Sequence, residues 1–163
     1  MRYTVDQYRR EISSKKILVV GMGRSGVAAV KELNTLGATV TAQDINTVDK
    51  IDPKFITFLE REGIDYYFGS TPEHMECFDV VVLSPGVNPN LEFLNEGRSK
   101  GVEVIGELEM AYRLSRGKYV AITGTNGKTT TTSLVGKIFE ESGRKYTIVG
   151  NIGVATISKV QES

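Results

Sequence analysis

The sequence predicts an α/β fold with a doubly wound parallel sheet, and three observations support this prediction. Short apolar runs, which are typical of buried strands, alternate with stretches of helical spacing. Two of the strand-to-helix turns are rich in glycine, at residues 21–26 and 124–127. Strands that alternate with helices form right-handed βαβ units, whose helices cover both faces of a parallel sheet.

Each element is assigned on the same grounds. Helices are expected where apolar residues recur at helical spacing, as Val27, Val30 and Leu33 do, and a following glycine such as Gly37 marks the helix end. Strands are expected at uninterrupted apolar runs such as residues 80–83. The predicted helices lie at residues 5–12, 27–36, 54–62, 91–99, 107–114 and 128–142. The predicted strands lie at residues 16–20, 39–43, 65–68, 80–83, 102–105, 119–122 and 146–149.

The polar stretch at residues 115–118, which contains Gly117, is the best candidate for a domain boundary. It separates a complete doubly wound unit from a new strand, turn and helix. We therefore expect a first domain at residues 1–116 and the beginning of a second domain at residues 117–163.

Composition excludes several classes of function. The 163 residues carry 20 Lys and Arg against 20 Asp and Glu, so no basic excess indicates a nucleic-acid partner. No apolar run has the roughly 18 residues of a membrane span, and the charged start does not resemble a signal peptide. Cys77 is the single cysteine, which excludes an internal disulfide and indicates the cytoplasm. With His74 as the single histidine, a zinc centre of about four ligands is not expected either.

Gly21, Gly23 and Gly26 form a G-x-G-x-x-G pattern between a predicted strand and helix, and Asp44 ends the next strand. This is the dinucleotide-binding fingerprint, in which the acid binds a ribose hydroxyl. The pattern has three interpretations: NAD binding, tight strand-to-helix packing alone, or another phosphorylated nucleotide at the same helix N-terminus.

A second glycine-rich turn follows the apolar run at residues 119–122 and indicates use of a nucleoside triphosphate. Its backbone N–H groups can surround phosphates, Lys128 can reach the β- and γ-phosphates, and the Thr129 hydroxyl can ligate Mg²⁺. The turn has the compact G-x-x-G-K-T form, because Ile122 stands where the longer pattern has its first glycine. The candidate ATP-binding residues are Gly124, Thr125, Asn126, Gly127, Lys128, Thr129 and Thr130.

The loop at residues 122–129 resembles the ATP loop of the Mur ligases, which build the peptidoglycan peptide. The Gly-Asn-Ile-Gly sequence at residues 150–153 is similar to the one that follows in that family. The motifs at residues 21–26, 84–87 and 106–109 most resemble the member that adds D-glutamate to UDP-N-acetylmuramoyl-L-alanine.

The resemblance implies that a Rossmann-like first domain binds the UDP part of the substrate, and that residues 117–163 begin the central P-loop ATPase domain. ATP and Mg²⁺ would be the cofactors, with Lys128 and Thr129 as the catalytic residues and Thr129 as a Mg²⁺ ligand. The reaction would pass through an acyl phosphate that the amine of D-glutamate attacks. The residues implied in binding the UDP-substrate are Gly23, Arg24, Ser25, Asp44, Ser84, Pro85, Gly86 and Asn151.

An acid that could complete the metal site is missing after Lys128. Glu140 lies twelve residues along the predicted helix, about 18 Å from its start. We therefore expect a fragment of a monomeric enzyme, which binds the UDP-substrate without turnover and self-associates through exposed strand edges.

Three alternatives remain. An NAD-binding oxidoreductase or redox-sensing module would explain the first glycine pattern and Asp44, but not the second loop. A UDP-sugar-binding module without catalysis would explain the first domain. The L-alanine-adding relative would carry a histidine where this chain has Asn126.

Overall fold

A five-stranded, all-parallel sheet forms the centre of the first part of the molecule. The structure is a computed structural model, which describes residues 4–150 and 154–162 of the chain. The spatial order of the strands is β3-β2-β1-β4-β5. The predicted doubly wound α/β fold is therefore confirmed. The strands are β1 (Lys16–Val20), β2 (Thr39–Asp44), β3 (Asp65–Phe68), β4 (Val80–Leu83) and β5 (Glu103–Gly106).

Helices on both faces of the sheet connect these strands. The helices are α1 (Val5–Ile12), α2 (Arg24–Thr35), α3 (Pro53–Glu62), α4 (Glu92–Ser99), α5 (Glu107–Leu114) and α6 (Lys128–Glu141). Three 3-10 segments lie at Val48–Lys50, Met75–Cys77 and Thr156–Glu162. Within the described ranges, no helix is long and apolar enough to cross a membrane.

The core lies on both faces of the sheet, because successive side chains of a strand point to opposite sides. On β1, Ile17 and Val19 face a cluster that includes residues of α2, α3 and α5. Leu18 and Val20 face a second cluster with residues of β4 and α4. All four side chains are at most 2% exposed, as expected for a parallel strand that is covered on both faces.

The strand order reverses between β1 and β4. From β1 the chain proceeds outward through β2 and β3, and it then crosses to β4 on the other side of β1. Connections leaving β1 and β4 therefore diverge, which opens a crevice at the carboxyl ends of these two strands. In open α/β sheets ligands bind at such a switch point.

Element boundaries agree with the sequence predictions within a few residues. The largest difference is at α2, which begins at Arg24 rather than at the predicted Val27. Gly26 has poor helix propensity, but close packing against Gly21 requires a glycine inside the first turn. Gly63 ends α3 in the left-handed conformation, with a φ of 67°, as predicted.

Two predicted strands do not form. Residues 119–122 form no strand within the described part of the chain, and residues 146–149 make only one parallel bridge, between Val149 and Val154. A strand needs a neighbouring backbone that pairs with its N–H and C=O groups, and among the described residues of these two segments only the Val149–Val154 bridge provides such pairing. The helix of the predicted P-loop unit is present, whereas the described residues of this unit form no sheet.

The segment Thr156–Glu162 packs against α2 and α5, although the sequence assigns it to the second domain. Its Ile157 and Val160 side chains are 0% and 1% exposed. The segment therefore contributes to the core of the first part of the molecule. We call Thr156–Glu162 the docked segment, and we call the part from α1 to α5 the first unit.

Candidate nucleotide-binding site

The turn between β1 and α2 presents the N-terminus of a helix to the crevice. Gly23 is the N-cap of α2. Because glycine has no side chain, no side-chain oxygen at this position accepts a hydrogen bond from the N–H groups of the first turn. A methyl group added at Gly23 would meet no heavy atom within 4 Å. The site therefore offers backbone donors and the positive end of the helix dipole to an anion such as a diphosphate.

Gly26 allows the start of α2 to approach the turn closely. A Cβ at this position would lie 1.8 Å from the Gly21 carbonyl oxygen and 2.7 Å from the Ser84 Oγ. Gly21 itself has a φ of +88°, in the left-handed region that favours glycine. The glycine spacing is therefore required by backbone geometry as well as by any ligand.

Ser84 closes the same turn from β4. Its Oγ donates a hydrogen bond of 2.6 Å to the Gly21 carbonyl oxygen, and its N–H donates to the Val20 carbonyl oxygen at 3.0 Å. The serine is 8% exposed, and its hydroxyl is already engaged in this hydrogen bond within the turn. Pro85 and Gly86 follow at the exposed rim of the crevice.

Asp44 ties the ends of β1 and β2 together. Its Oδ2 accepts the Met22 N–H at 2.5 Å, and its Oδ1 accepts the backbone and side-chain N–H groups of Asn46 at 2.8 and 2.9 Å. The carboxylate is buried, and both of its oxygens are engaged by this chain. The next residue, Ile45, is 86% exposed and presents an apolar surface at the crevice rim.

The structure brings most of the predicted UDP-substrate residues together. Arg24 is exposed and Ser25 half-buried on the first turn of α2, next to the other residues of the crevice. Asn151 lies outside the described residues. The predicted residues that line the crevice are Gly23, Arg24, Ser25, Asp44, Ser84, Pro85 and Gly86.

The second glycine-rich turn precedes α6, and Lys128 and Thr129 at the start of this helix line the cleft that contains the crevice. Gly124 and Gly127 have φ angles of 150° and 75°, and Gly127 caps α6 without a side chain. The Lys128 ammonium donates hydrogen bonds to the carbonyl oxygens of Gly124 and, at 3.2 Å, Thr125. The lysine therefore already lies over the loop whose N–H groups would hold phosphates.

The residues of this turn fit a triphosphate better than they fit a metal ion. The turn places one ammonium and a row of exposed N–H and hydroxyl groups at a helix N-terminus, which suits anionic oxygens. Thr129 could supply one oxygen ligand to Mg²⁺. In the described ranges no three His, Cys, Asp or Glu side chains are grouped for a metal ion, and Glu140 is paired with Lys137 at 2.9 Å.

Sequence reasoning missed Glu107 as a site residue. Glu107 begins α5 at the carboxyl end of β5 and is only 4% exposed. Burial raises the pKa of its carboxyl group, while hydrogen bonds from the N–H groups of Ile157 and Thr156 lower it. Acids are common in the first turn of exposed helices, so the burial of this one could not be predicted from its position.

Comparison with known proteins agrees with this architecture. Residues 15–106 match the Mur ligase MurD-like N-terminal domain, and residues 122–162 match the Mur ligase middle domain. A pseudomurein peptide ligase type C from Methanothermus fervidus superposes with a TM-score of 0.52 at 28% identity, over 80% of this chain and 27% of that one. The MurC UDP-N-acetylmuramate–alanine ligase of Thermotoga maritima shares the fold, with a TM-score of 0.53 at 22% identity over 80% of this chain and 30% of that one.

Sequence relatives point to one branch of the family. The UDP-N-acetylmuramoylalanine–D-glutamate ligase of Alkaliphilus oremlandii is 46% identical over 93% of this chain and 34% of its own length. The enzyme of the same name from Clostridioides difficile is 40% identical over 94% of this chain and 34% of its own length. The chain thus spans about a third of the length of the curated relatives that it matches. The predicted resemblance is confirmed, and the chain belongs to the Mur ligase family with a MurD-like N-terminal domain.

Proposed function

We propose that the protein represented by this chain joins D-glutamate to UDP-N-acetylmuramoyl-L-alanine in the cytoplasm, at the expense of ATP. The proposal is supported by the relatives at 40–46% identity, which are named UDP-N-acetylmuramoylalanine–D-glutamate ligases. In this proposal the first unit binds the UDP end of the substrate, and residues 124–130 bind the ATP phosphates. A boundary between the two domains at residues 116 and 117 is part of the same proposal.

The observation that carries the proposal is the N-terminus of α2. It has no side-chain cap, it lies at the switch point between β1 and β4, and Gly23 leaves space beside it. These features suit a diphosphate of any nucleotide. UDP is favoured over NAD because the relatives at 40–46% identity are named for a UDP-linked substrate.

Each part of the site has a separate role in the proposed reaction. The α2 turn would hold the diphosphate, Asp44 would keep the rim in shape, and Ile45 would flank the base. ATP supplies the phosphoryl group that turns the substrate carboxylate into an acyl phosphate. Lys128 would neutralise charge on the β- and γ-phosphates, and Thr129 would contribute an oxygen to their Mg²⁺.

Replacing the glycine at the N-cap of α2 tests this proposal. We expect Gly23→Ala to weaken UDP binding about tenfold or more, because the added methyl group occupies the space through which a diphosphate approaches the N–H groups. The protein itself accommodates the methyl group, since no heavy atom lies within 4 Å and φ is −71°. Calorimetric titration with UDP measures the change.

Gly106→Ala is the matched control. Gly106 is also an N-cap glycine, with a φ of −81° and no heavy atom within 4 Å of the added methyl group, but it begins α5. UDP affinity should be unchanged in this variant. Equal losses in the two variants, or no loss in either, would contradict the assignment of the diphosphate to α2.

A further inference from the structure

Helix α1 lies outside both family matches, which cover residues 15–106 and 122–162. It is nevertheless a well-formed element of the first unit. The Thr4 Oγ1 accepts the Gln7 N–H at 3.3 Å and the Gln7 Oε1 accepts the Thr4 N–H at 2.9 Å, which forms a capping box at the helix start. At the other end of the helix, Ile12 is 1% exposed in the core. The proposed reaction gives this helix no role.

One side chain of α1 contacts the chain both where it leaves the first unit and where it returns. The chain leaves at Leu114, the last residue of α5, and it returns with the docked segment. The half-buried Arg9 donates from Nε to the Leu114 carbonyl oxygen at 2.8 Å, and from Nη2 to the Val160 carbonyl oxygen. A guanidinium presents its donors in a rigid plane, so it holds two acceptors at a fixed separation. Arg9 therefore joins the exit of the chain to its return.

A second residue of α1 holds the linker that follows the exit. Asp6 accepts hydrogen bonds from two guanidinium nitrogens of Arg116, one of them from Nε at 3.2 Å. The next backbone N–H, that of Gly117, donates to the buried Ser115 Oγ at 3.1 Å. Asp6 and Arg116 are both more than half exposed, so solvent weakens their ion pair. Arg9 is thus the stronger of the two contacts that α1 makes here.

The part of the chain beyond this linker depends on such contacts for its orientation. We call residues 117–149, which contain the second glycine-rich turn and α6, the α6 part. In the described stretch from residue 115 to residue 127 the chain forms neither helix nor strand. Tyr119 contacts Tyr112 of α5 at 5.5 Å between ring centroids, which adds one contact across the linker. Parts of a chain that are joined by an irregular linker rotate relative to each other unless contacts prevent it.

We propose that α1 fixes the orientation of the α6 part relative to the nucleotide crevice, with Arg9 as the main positioning residue. The inference rests on the proposed function, in which ATP phosphates at residues 124–130 must face the substrate that the first unit binds. Arg9 is not among the residues that line the cleft. Its effect is therefore expected on the relative orientation of the two sites, and not on binding at either of them.

Residual dipolar couplings of backbone N–H groups in the 163-residue chain test this role, because they report the relative orientation of helices. In the unaltered chain, one alignment should account for the couplings of both α2 and α6. Arg9→Met keeps an apolar stem and removes the guanidinium. In this variant the couplings of α6 should fall to about half or less, because rotation about the linker averages them, whereas those of α2 should keep their values.

Arg10→Met is the matched control at the next position of the same helix. Arg10 is exposed, and the hydrogen bonds to Leu114 and Val160 belong to Arg9. Both helices should therefore keep a single alignment in this variant. If Arg9→Met does not fold, Asp6→Ala removes an exposed side chain and frees the linker instead. The couplings of α6 should then fall by a smaller factor, and those of α2 should again be unchanged.

Several outcomes would overturn the role of α1. They are separate alignments of α2 and α6 in the unaltered chain, a single alignment in Arg9→Met, or equal averaging in the Arg9 and Arg10 variants.

Affinity for UDP separates this inference from the proposed function. It should stay within about twofold in Arg9→Met, because the substituted residue lies away from the crevice. A larger loss would show that Arg9 supports the crevice itself, which contradicts the proposed role. If the unaltered chain binds no UDP, the proposed function fails, while the couplings still decide whether α1 orients the α6 part.

Discussion

Individual residues around the α2 turn do their work mainly through backbone geometry. Gly21 adopts a left-handed φ, Gly26 permits a contact that no side chain could make, and Asp44 holds two loop ends together. The sequence predicted all three as members of a nucleotide fingerprint. The sequence did not predict that Asp44 and Ser84 form hydrogen bonds to the turn itself. Their partners there are backbone groups that come close only in the folded chain.

Gly26→Ala should lower the free energy of unfolding by about 3 kcal/mol, because a Cβ at 1.8 Å from the Gly21 carbonyl oxygen forces the turn and α2 apart. Chemical denaturation measures this loss. Gly106→Ala provides the comparison, since its methyl group meets no atom within 4 Å. A loss at Gly26 no larger than at Gly106 would show that the turn relaxes freely.

Among the elements, the docked segment differs most from the sequence prediction. Its Ile157 and Val160 side chains have the burial of core residues, but their pattern in the sequence is too short to distinguish a buried turn from a surface one. The first five strands and their helices were predictable because each combines a periodic apolar pattern with a glycine or polar stop. Residues 119–122 and 146–149 were predicted as strands from their apolar runs and their places around the second glycine-rich turn and its helix, and strand formation also needs a partner.

Burial of the Glu107 carboxyl group should give stability a specific pH dependence. Burial raises the pKa of Glu107 above its ordinary value of 4.5. At pH values between 4.5 and the raised pKa, the folded state therefore binds more protons than the unfolded state. Stability from this group therefore falls as pH rises through that window. The stability of the unaltered chain relative to Glu107→Gln should thus increase as pH is lowered from about 8 to about 5.

Thermal unfolding of the two proteins across this range measures the effect. The pKa of Glu76, which a hydrogen bond from Lys100 lowers to about 2, affects both proteins equally and cancels in the comparison. A difference that is constant with pH, or that decreases toward acid, would contradict a raised pKa at Glu107.

At the scale of the whole molecule, the two parts of the chain differ in how well their apolar side chains are covered. The first unit has a sheet covered on both faces, whereas α6 packs against residues 146–148 and leaves apolar side chains exposed. Leu134 and Ile138 on this helix are 61% and 60% exposed. Exposed apolar groups of this kind favour association with another surface.

We expect the chain to self-associate with increasing concentration through α6. Replacing both Leu134 and Ile138 by Glu should shift the chain toward monomer in sedimentation velocity, because the charges oppose burial. Val48→Glu, at a residue that is 44% exposed on the first unit, should leave association unchanged. A chain that is monomeric at every concentration would contradict this expectation.

In our proposal, a nucleotide crevice with a dinucleotide fingerprint binds a uridine diphosphate. Calorimetric titration of the unaltered chain with UDP, UDP-N-acetylmuramoyl-L-alanine and NAD tests it most directly. We expect saturable binding of both uridine nucleotides and none of NAD. Binding of NAD without binding of UDP would contradict it.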